Sequence, residues 1–319
     1  MKKNTLVKAG KITLGAIATL AVAGTVFLAG FVTDQVLYQN KNNDTKGNSV
    51  KQLATWGYDL EGFNEKYKGE EIACKAEDGN VVPGTFFDMG SDKCVVLVHG
   101  AGGDRVSTFP LAEQYLEKGI DVITFDERGH GENPDKKVTF GINESRDVKA
   151  LVKYAREELG NTEVIVHGQS MGGQTTAIYA SNVTPGTVEA ADAVICDSPV
   201  PGMEYMVRSV MSDTPEEMDS AFISYLTDIS KAYSKVVYSV DYNDGDTINE
   251  VSKDTLPTLV IVSEKDEVCL PEKVEEVYAN IASTEKSIVY VNSAHIEGVI
   301  DDPEGYMENV DNFLSSLGL

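Results

Sequence analysis

Gly168-Gln169-Ser170-Met171-Gly172 is the stretch from which the rest of this sequence is read. The β-branched run Val164-Ile165-Val166 stands before it, and a helical pattern continues after it through Ala180. Strand, sharp turn and helix in that order turn a G-x-S-x-G sequence into an elbow that lifts a serine hydroxyl clear of a sheet. The serine backbone is pinched in such a turn, so side chains at Gly168 or Gly172 would strike neighbouring backbone. The helix that follows aims the positive end of its dipole at the serine, where negative charge would develop.

Working outward, apolar segments alternate between strand and helix patterns. Glu71–Lys75 and Val81–Phe87 flank the turn dipeptide Asp78-Gly79 and read as an antiparallel hairpin. Val95–Val98, Val122–Phe125, Val164–Val166, Ala193–Ile195, Thr258–Val262 and Ile288–Val291 are short, nearly continuous apolar runs, as in parallel strands buried on both faces. Between them lie helices. One carries Val148, Leu151, Val152, Ala155 and Leu159 on one face and stops at Gly160; the last carries Val310, Phe313, Leu314 and Leu317. The expected fold class is therefore α/β, with a doubly wound, mostly parallel sheet. Nearly sixty residues separate Pro199 from Pro257, far more than a crossover needs. That segment, about 200–256, is expected to be a helical cap. It is rich in Met and aromatic residues, of which Met203, Tyr205, Met206 and Phe222 are the candidates to line an apolar substrate pocket.

A serine hydroxyl is a weak nucleophile until a base takes its proton. Of the four histidines, His99, His130 and His167 precede the elbow, and only His295 follows the final strand, as the order Ser…Asp…His requires. Asp266, after the strand Thr258–Val262, is the expected acid behind His295; Asp197, one strand earlier, is its rival. An oxyanion needs two donors. The backbone N–H groups of Met171 and of Ala101, in the glycine-rich turn His99-Gly100-Ala101-Gly102-Gly103, are the candidates.

Together, His99-Gly100, Asp126-Glu127-Arg128-Gly129-His130-Gly131 and Gly168–Gly173 resemble the α/β-hydrolase superfamily, in its serine-aminopeptidase-like and monoglyceride-lipase-like branch. The resemblance runs from about Tyr67 to Leu319. It implies acyl transfer without metal or cofactor, by an esterase, lipase, peptidase or thioesterase, and a structural role for the RGHG loop. A non-catalytic binding module is the rival from outside enzymology.

The remaining observations bound partners and location. Twenty-seven basic against fifty-one acidic residues give a net charge of −24, which repels nucleic acid and anionic surfaces. The cap leans the substrate towards small apolar acyl or aryl esters. Cys74, Cys94, Cys196 and Cys269 form no metal-type pair, and Cys196 with Cys269 is the one conceivable disulfide. At the N-terminus, residues 1–11 carry four lysines ahead of an uncharged stretch, Ile12 to Val32, about 31 Å long as a helix at ~1.5 Å per residue. It is expected to be a membrane signal-anchor with the rest of the chain outside, the alternative being a signal peptide cleaved near Ala21-Val22-Ala23. Residues 33–66, polar and Asn/Lys/Asp-rich, then read as a flexible spacer, with room for a short helix near Trp56, ahead of a hydrolase domain at 67–319.

Overall fold

A computed structural model describes residues 23–38, 41 and 43–319. Three helices lead in: α1 (23–37), α2 (Thr45–Thr55) and α3 (Leu60–Lys66). Strands β1 (Glu70–Lys75), β2 (Val81–Phe87) and β3 (Lys93–Val98) precede helix α4 (Phe109–Glu117) and strand β4 (Asp121–Phe125). Helix α5 (Glu144–Tyr154) leads through a π-turn and the left-handed Gly160 to β5 (Glu163–Gln169), α6 (Met171–Ser181) and β6 (Ala193–Asp197). Cap helices α7 (Met203–Val210) and α8 (Ala221–Tyr233) follow. The chain ends with β7 (Thr258–Ser263), α9 (Pro271–Asn280), β8 (Lys286–Val291) and α10 (Pro303–Leu317).

All eight strands join one sheet in the order β1-β2-β4-β3-β5-β6-β7-β8. The β1–β2 hairpin is antiparallel, β2 runs antiparallel to β4, and every later pairing is parallel. This is the doubly wound, mostly parallel α/β sheet that the alternation of elements predicts. Its central strands are buried along their whole length, so successive side chains feed opposite faces. In β3, Val95 and Leu97 join the core beneath α4 and α10, while Cys94, Val96 and Val98 join the core against α5. The order turns around at β3 and β5, and the loops after these strands meet at the carboxyl edge where ligands bind in such sheets.

The cap covers that edge. Met203 and Val207 of α7 are fully buried with Val240, Tyr242 and Val251, against Met171 of α6 and Val260 and Val262 of β7. Val200, Met203, Val207, Val240, Tyr242 and Val251 thus form the cap's seat, while Val210, Phe222, Tyr225, Val236 and Val237 face outward.

Three readings of the sequence meet the structure here. Cys196 and Cys269, though both buried in one cluster, are free thiols, as are Cys74 and Cys94. The supposed spacer is largely structured: α2 and α3 pack on the domain, burying Leu53 and Phe63, and Phe63 stacks on Phe109 at 4.5 Å. The expected membrane span lies in part outside the described residues, at 12–22. Its described part, 23–32, continues as α1 onto the cap, where Ala29 is buried and a Cβ on Gly30 would meet the Tyr233 ring at 2.9 Å. Among the described residues no helix is long and apolar enough to cross a membrane.

Candidate active site

The turn between β5 and α6 holds Ser170 at φ 58°, ψ −118°, a conformation that L-residues avoid and that functional sites retain. The glycines around it have no room to be anything else. A Cβ on Gly168 would lie 2.1 Å from the Gly172 carbonyl oxygen, and one on Gly172 would lie 2.1 Å from that of Val98. The Ser170 N–H is tied to the Asp197 carbonyl at 2.9 Å, which pins the turn to β6.

His295, on the loop after β8, reaches back across 125 residues to place Nε2 2.8 Å from Ser170 Oγ. Its Nδ1 lies 2.6 Å from Oδ2 of Asp266, on the loop after β7. The other oxygen of Asp266 accepts from the N–H groups of Val268 and Cys269, both at 2.8 Å, so the carboxylate is fixed on both sides. Ile296 follows His295 with φ 55°, an outlier for a β-branched residue, and its strain sits beside the imidazole. Asp266, His295 and Ser170 thus form one continuous line of hydrogen bonds.

Asp197 has a different occupation. It is buried behind the elbow, where its Oδ2 accepts from Tyr306 Oη at 2.8 Å and from Gln169 Nε2 at 3.1 Å. Side chains, rather than backbone or solvent, hold this oxygen. Burial pushes its carboxyl above the usual range. The network runs on through Tyr306 to His167 Nε2 at 3.0 Å, and from His167 Nδ1 to Tyr115 at 2.9 Å. His167 is therefore a structural bridge between two phenols, held neutral because burial drives its pKa from 6.5 down to about 3. In the unfolded chain it would take a proton below about pH 6.5, but folded only below about 3. The stability it confers is thus complete above 6.5 and drains as pH falls towards 3, at up to ~1.4 kcal/mol per pH unit. Urea unfolding at pH 7, 6 and 5 should show this decline, and His167→Gln should flatten it by nearly one proton. An unchanged slope in the variant would overturn the assignment.

The glycine-rich turn after β3 comes close to the serine: a Cβ on Gly100 would lie 3.3 Å from that of Ser170. Its orientation is set by two buried imidazoles. His99 Nδ1 lies 2.7 Å from the Gly100 carbonyl oxygen, and its Nε2 accepts from the Glu127 N–H at 3.0 Å. In a trans peptide, holding the carbonyl on one side turns the following N–H, that of Ala101, to the other. His130 Nε2 accepts from the Gly102 N–H at 3.0 Å, while its Nδ1 faces the Arg128 carbonyl. Burial keeps both rings neutral, His130 with a pKa near 3. Glu127 and Arg128 extend the support: Glu127 accepts from Thr175, with burial raising its carboxyl well above the ordinary range, and Arg128 pairs with Asp147 and Asp78. Met171 opens α6, so its N–H belongs to the first turn that helix geometry leaves without an intrahelical partner.

A cavity of about 200 Å³ lies over these groups, bordered by Ala101, Ser170 and His295 together with Met206, Val268 and Ile296. Among the described residues no Asp or Glu borders it, and Gln52 of α2 does. Of the four cap residues expected to line a pocket, Met206 does so. Met203 is buried in the cap's seat, and Phe222 is 63% exposed on the outside. Tyr205 acts as a strut, its hydroxyl donating to the Val268 carbonyl at 2.8 Å and accepting from the Leu270 N–H at 3.3 Å. Helical periodicity marks which residues are apolar but not which way the helix is turned. Gln52 was hidden in a segment whose composition reads as linker.

The family described as alpha/beta hydrolase fold matches residues 93–241 of this chain. The proline iminopeptidase of Saccharolobus solfataricus is 22% identical over 272 residues, covering 72% of this chain and 86% of its own. The thermostable monoacylglycerol lipase of Bacillus sp. is 28% identical over 218 residues, covering 63% of this chain and 82% of its own. Among solved structures, the esterase Pf2001 of Pyrococcus furiosus superposes with a TM-score of 0.62 at 23% identity, covering 81% of this chain and 96% of that one. At that identity the likeness is one of fold.

Proposed function

This chain belongs to the α/β-hydrolase superfamily, and on that premise we propose that it is a serine hydrolase cleaving small carboxylic esters through an acyl-enzyme. The observation that carries the reading is the unbroken line from Asp266 through His295 to Ser170, at 2.6 and 2.8 Å. In this mechanism His295 Nε2 takes the proton of Ser170 Oγ as the oxygen attacks the ester carbonyl. Asp266 keeps the other ring proton on Nδ1 and stabilises the imidazolium that forms. The N–H groups of Met171 and Ala101 receive the oxyanion, His295 protonates the departing alcohol, and water attacks the acyl-enzyme by the same route.

The cavity narrows the substrate. At about 200 Å³ it is smaller than the ~300–1,000 Å³ of pockets that enclose drug-sized ligands, so short acyl chains fit best. Met206, Val268 and Ile296 supply its apolar side. An aminopeptidase would need a carboxylate to hold the substrate amine, and none borders the cavity; the ester reading is favoured for that reason. A non-catalytic binding module would have no use for so complete a hydrogen-bonded line.

The test is reaction with a fluorophosphonate probe, followed by rates on a series of p-nitrophenyl esters. Stoichiometric labelling at Ser170 is expected, and an unreactive protein would overturn the proposal. Acetyl and butyryl esters should be turned over faster than octanoyl. Met206→Ala should raise kcat/KM on octanoyl relative to acetyl by about tenfold, the effect of a few methylenes admitted to an apolar pocket. Identical profiles in the two proteins would show that Met206 does not set chain length.

A further inference from the structure

Helix α2 stands outside the residues matched by the family, yet it touches the candidate site at both ends. Its buried face is a single row, Thr45, Ser49 and Leu53, four residues apart. Thr45 Oγ1 accepts from the Gly131 N–H at 3.0 Å, on the loop that carries His130. Ser49 Oγ accepts from the buried Asp104 N–H at 2.8 Å, and a Cβ on Gly103 would meet that same oxygen at 3.2 Å. Asn48 Nδ2 donates to the Gly102 carbonyl at 3.1 Å. Gly102 is therefore held from two directions, its N–H by His130 and its carbonyl by Asn48. Just beyond the helix, Trp56 Nε1 donates to Glu297 Oε1 at 3.0 Å, two residues from His295. Between these anchorages Gln52 borders the cavity that holds Ser170.

We propose that α2 is a working wall of the active site: Asn48 and Ser49 position the loop bearing the Ala101 N–H, and Gln52 offers its carboxamide to a polar group of the substrate. This rests on the serine-hydrolase reading above. The first part follows from the geometry of an oxyanion donor, which is effective only where the charge will form. The Ala101 peptide is one residue from Gly102, so freeing Gly102 loosens the donor. The second part follows from chemistry. Of the other polar side chains on the cavity, Ser107 donates to the Asp104 carbonyl and Gln169 to Asp197, so the Gln52 carboxamide is the group placed to pair with a substrate hydroxyl. The preferred substrate is then a short ester with a hydroxyl near the scissile carbonyl.

The experiment uses the full chain and measures three substitutions on p-nitrophenyl butyrate and its 3-hydroxybutyrate counterpart. Asn48→Asp, nearly isosteric, replaces the donor facing the Gly102 carbonyl with an acceptor. It should lower kcat on both esters by about tenfold with KM little changed, a part of what losing an oxyanion donor outright costs. Ser49→Ala should behave likewise and Ser49→Thr should restore the rate, which a loss of bulk stability would not explain; thermal midpoints are read alongside. Gln52→Leu, at a half-buried position, should lower kcat/KM on the hydroxybutyrate by about tenfold and on the butyrate much less. Wild-type kcat in Asn48→Asp and Ser49→Ala, with the wild-type protein labelled by the fluorophosphonate, would overturn the positioning role alone. Equal effects of Gln52→Leu on both esters would overturn the substrate contact. A wild-type protein that the probe does not label would overturn the underlying reading and this proposal with it.

Discussion

Ser170→Ala is expected to lower kcat on a short aryl ester by about 10⁶-fold, to the level that binding and oxyanion contacts sustain without a nucleophile. The substitution removes only the oxygen 2.8 Å from His295 Nε2. It leaves the turn with a Cβ of the same size, so the φ of 58° costs no more than before. Folding should be unaffected, and the thermal midpoint should stay within a few degrees or rise as the buried hydroxyl is lost. Fluorophosphonate labelling should vanish along with turnover. Persistent activity in a preparation free of the wild-type protein would mean that another group attacks the carbonyl.

The second large effect separates two buried carboxylates. Asp266→Asn should cost about 10⁴-fold in kcat, because an amide facing the imidazole presents an N–H where Nδ1–H needs an acceptor. The ring then keeps its proton on the wrong nitrogen, and Nε2 can no longer accept from Ser170. Asn at 266 can still receive the N–H groups of Val268 and Cys269 through its remaining oxygen, so the loop should hold. Asp197→Asn is the control. Its oxygen can go on accepting from Tyr306 and Gln169, and the loss in kcat should stay below about tenfold, the scale of an indirect perturbation. Rates on one ester, with unfolding midpoints for both variants, decide the matter. The reverse ranking would put the orienting acid on β6.

How much of this was legible in the sequence depended on the kind of signal each part leaves. The sheet and its order of elements could be read because parallel strands buried on both faces carry unbroken apolar runs, as Ala193–Cys196 and Leu259–Val262 do. Ser170 and His295 could be read because an elbow needs glycines and because chain order leaves one histidine eligible. The lining of the cavity could not. Met203 and Met206 lie three residues apart on one helix, and which of them meets the substrate is fixed by the rotation of α7, a tertiary fact. The deepest miss was α2. Its inward row is two hydroxyls and a leucine, which hydropathy averages into the polar residues around it, and Asn40–Asn48 looks like solvent-loving chain. Hydroxyls face inward there because the surface opposite is a loop of N–H groups, at Asp104 and Gly131, that need acceptors.

The bond between Trp56 and Glu297 joins residues 241 apart in the sequence. On a ribosome adding ~5–20 residues per second, the helix that walls the cavity is made roughly 10–50 s before the loop that closes it. Ser170, the Gly100–Gly103 turn and the cap are all synthesised in the interval, while Asp266 and His295 arrive in the last sixty residues. On the proposed mechanism the chain is therefore born inert: its central strands can already be paired and its first helices docked while Ser170 still lacks His295. Competence then arrives late and all at once, when β8 completes the sheet edge and the loop bearing Glu297 meets Trp56.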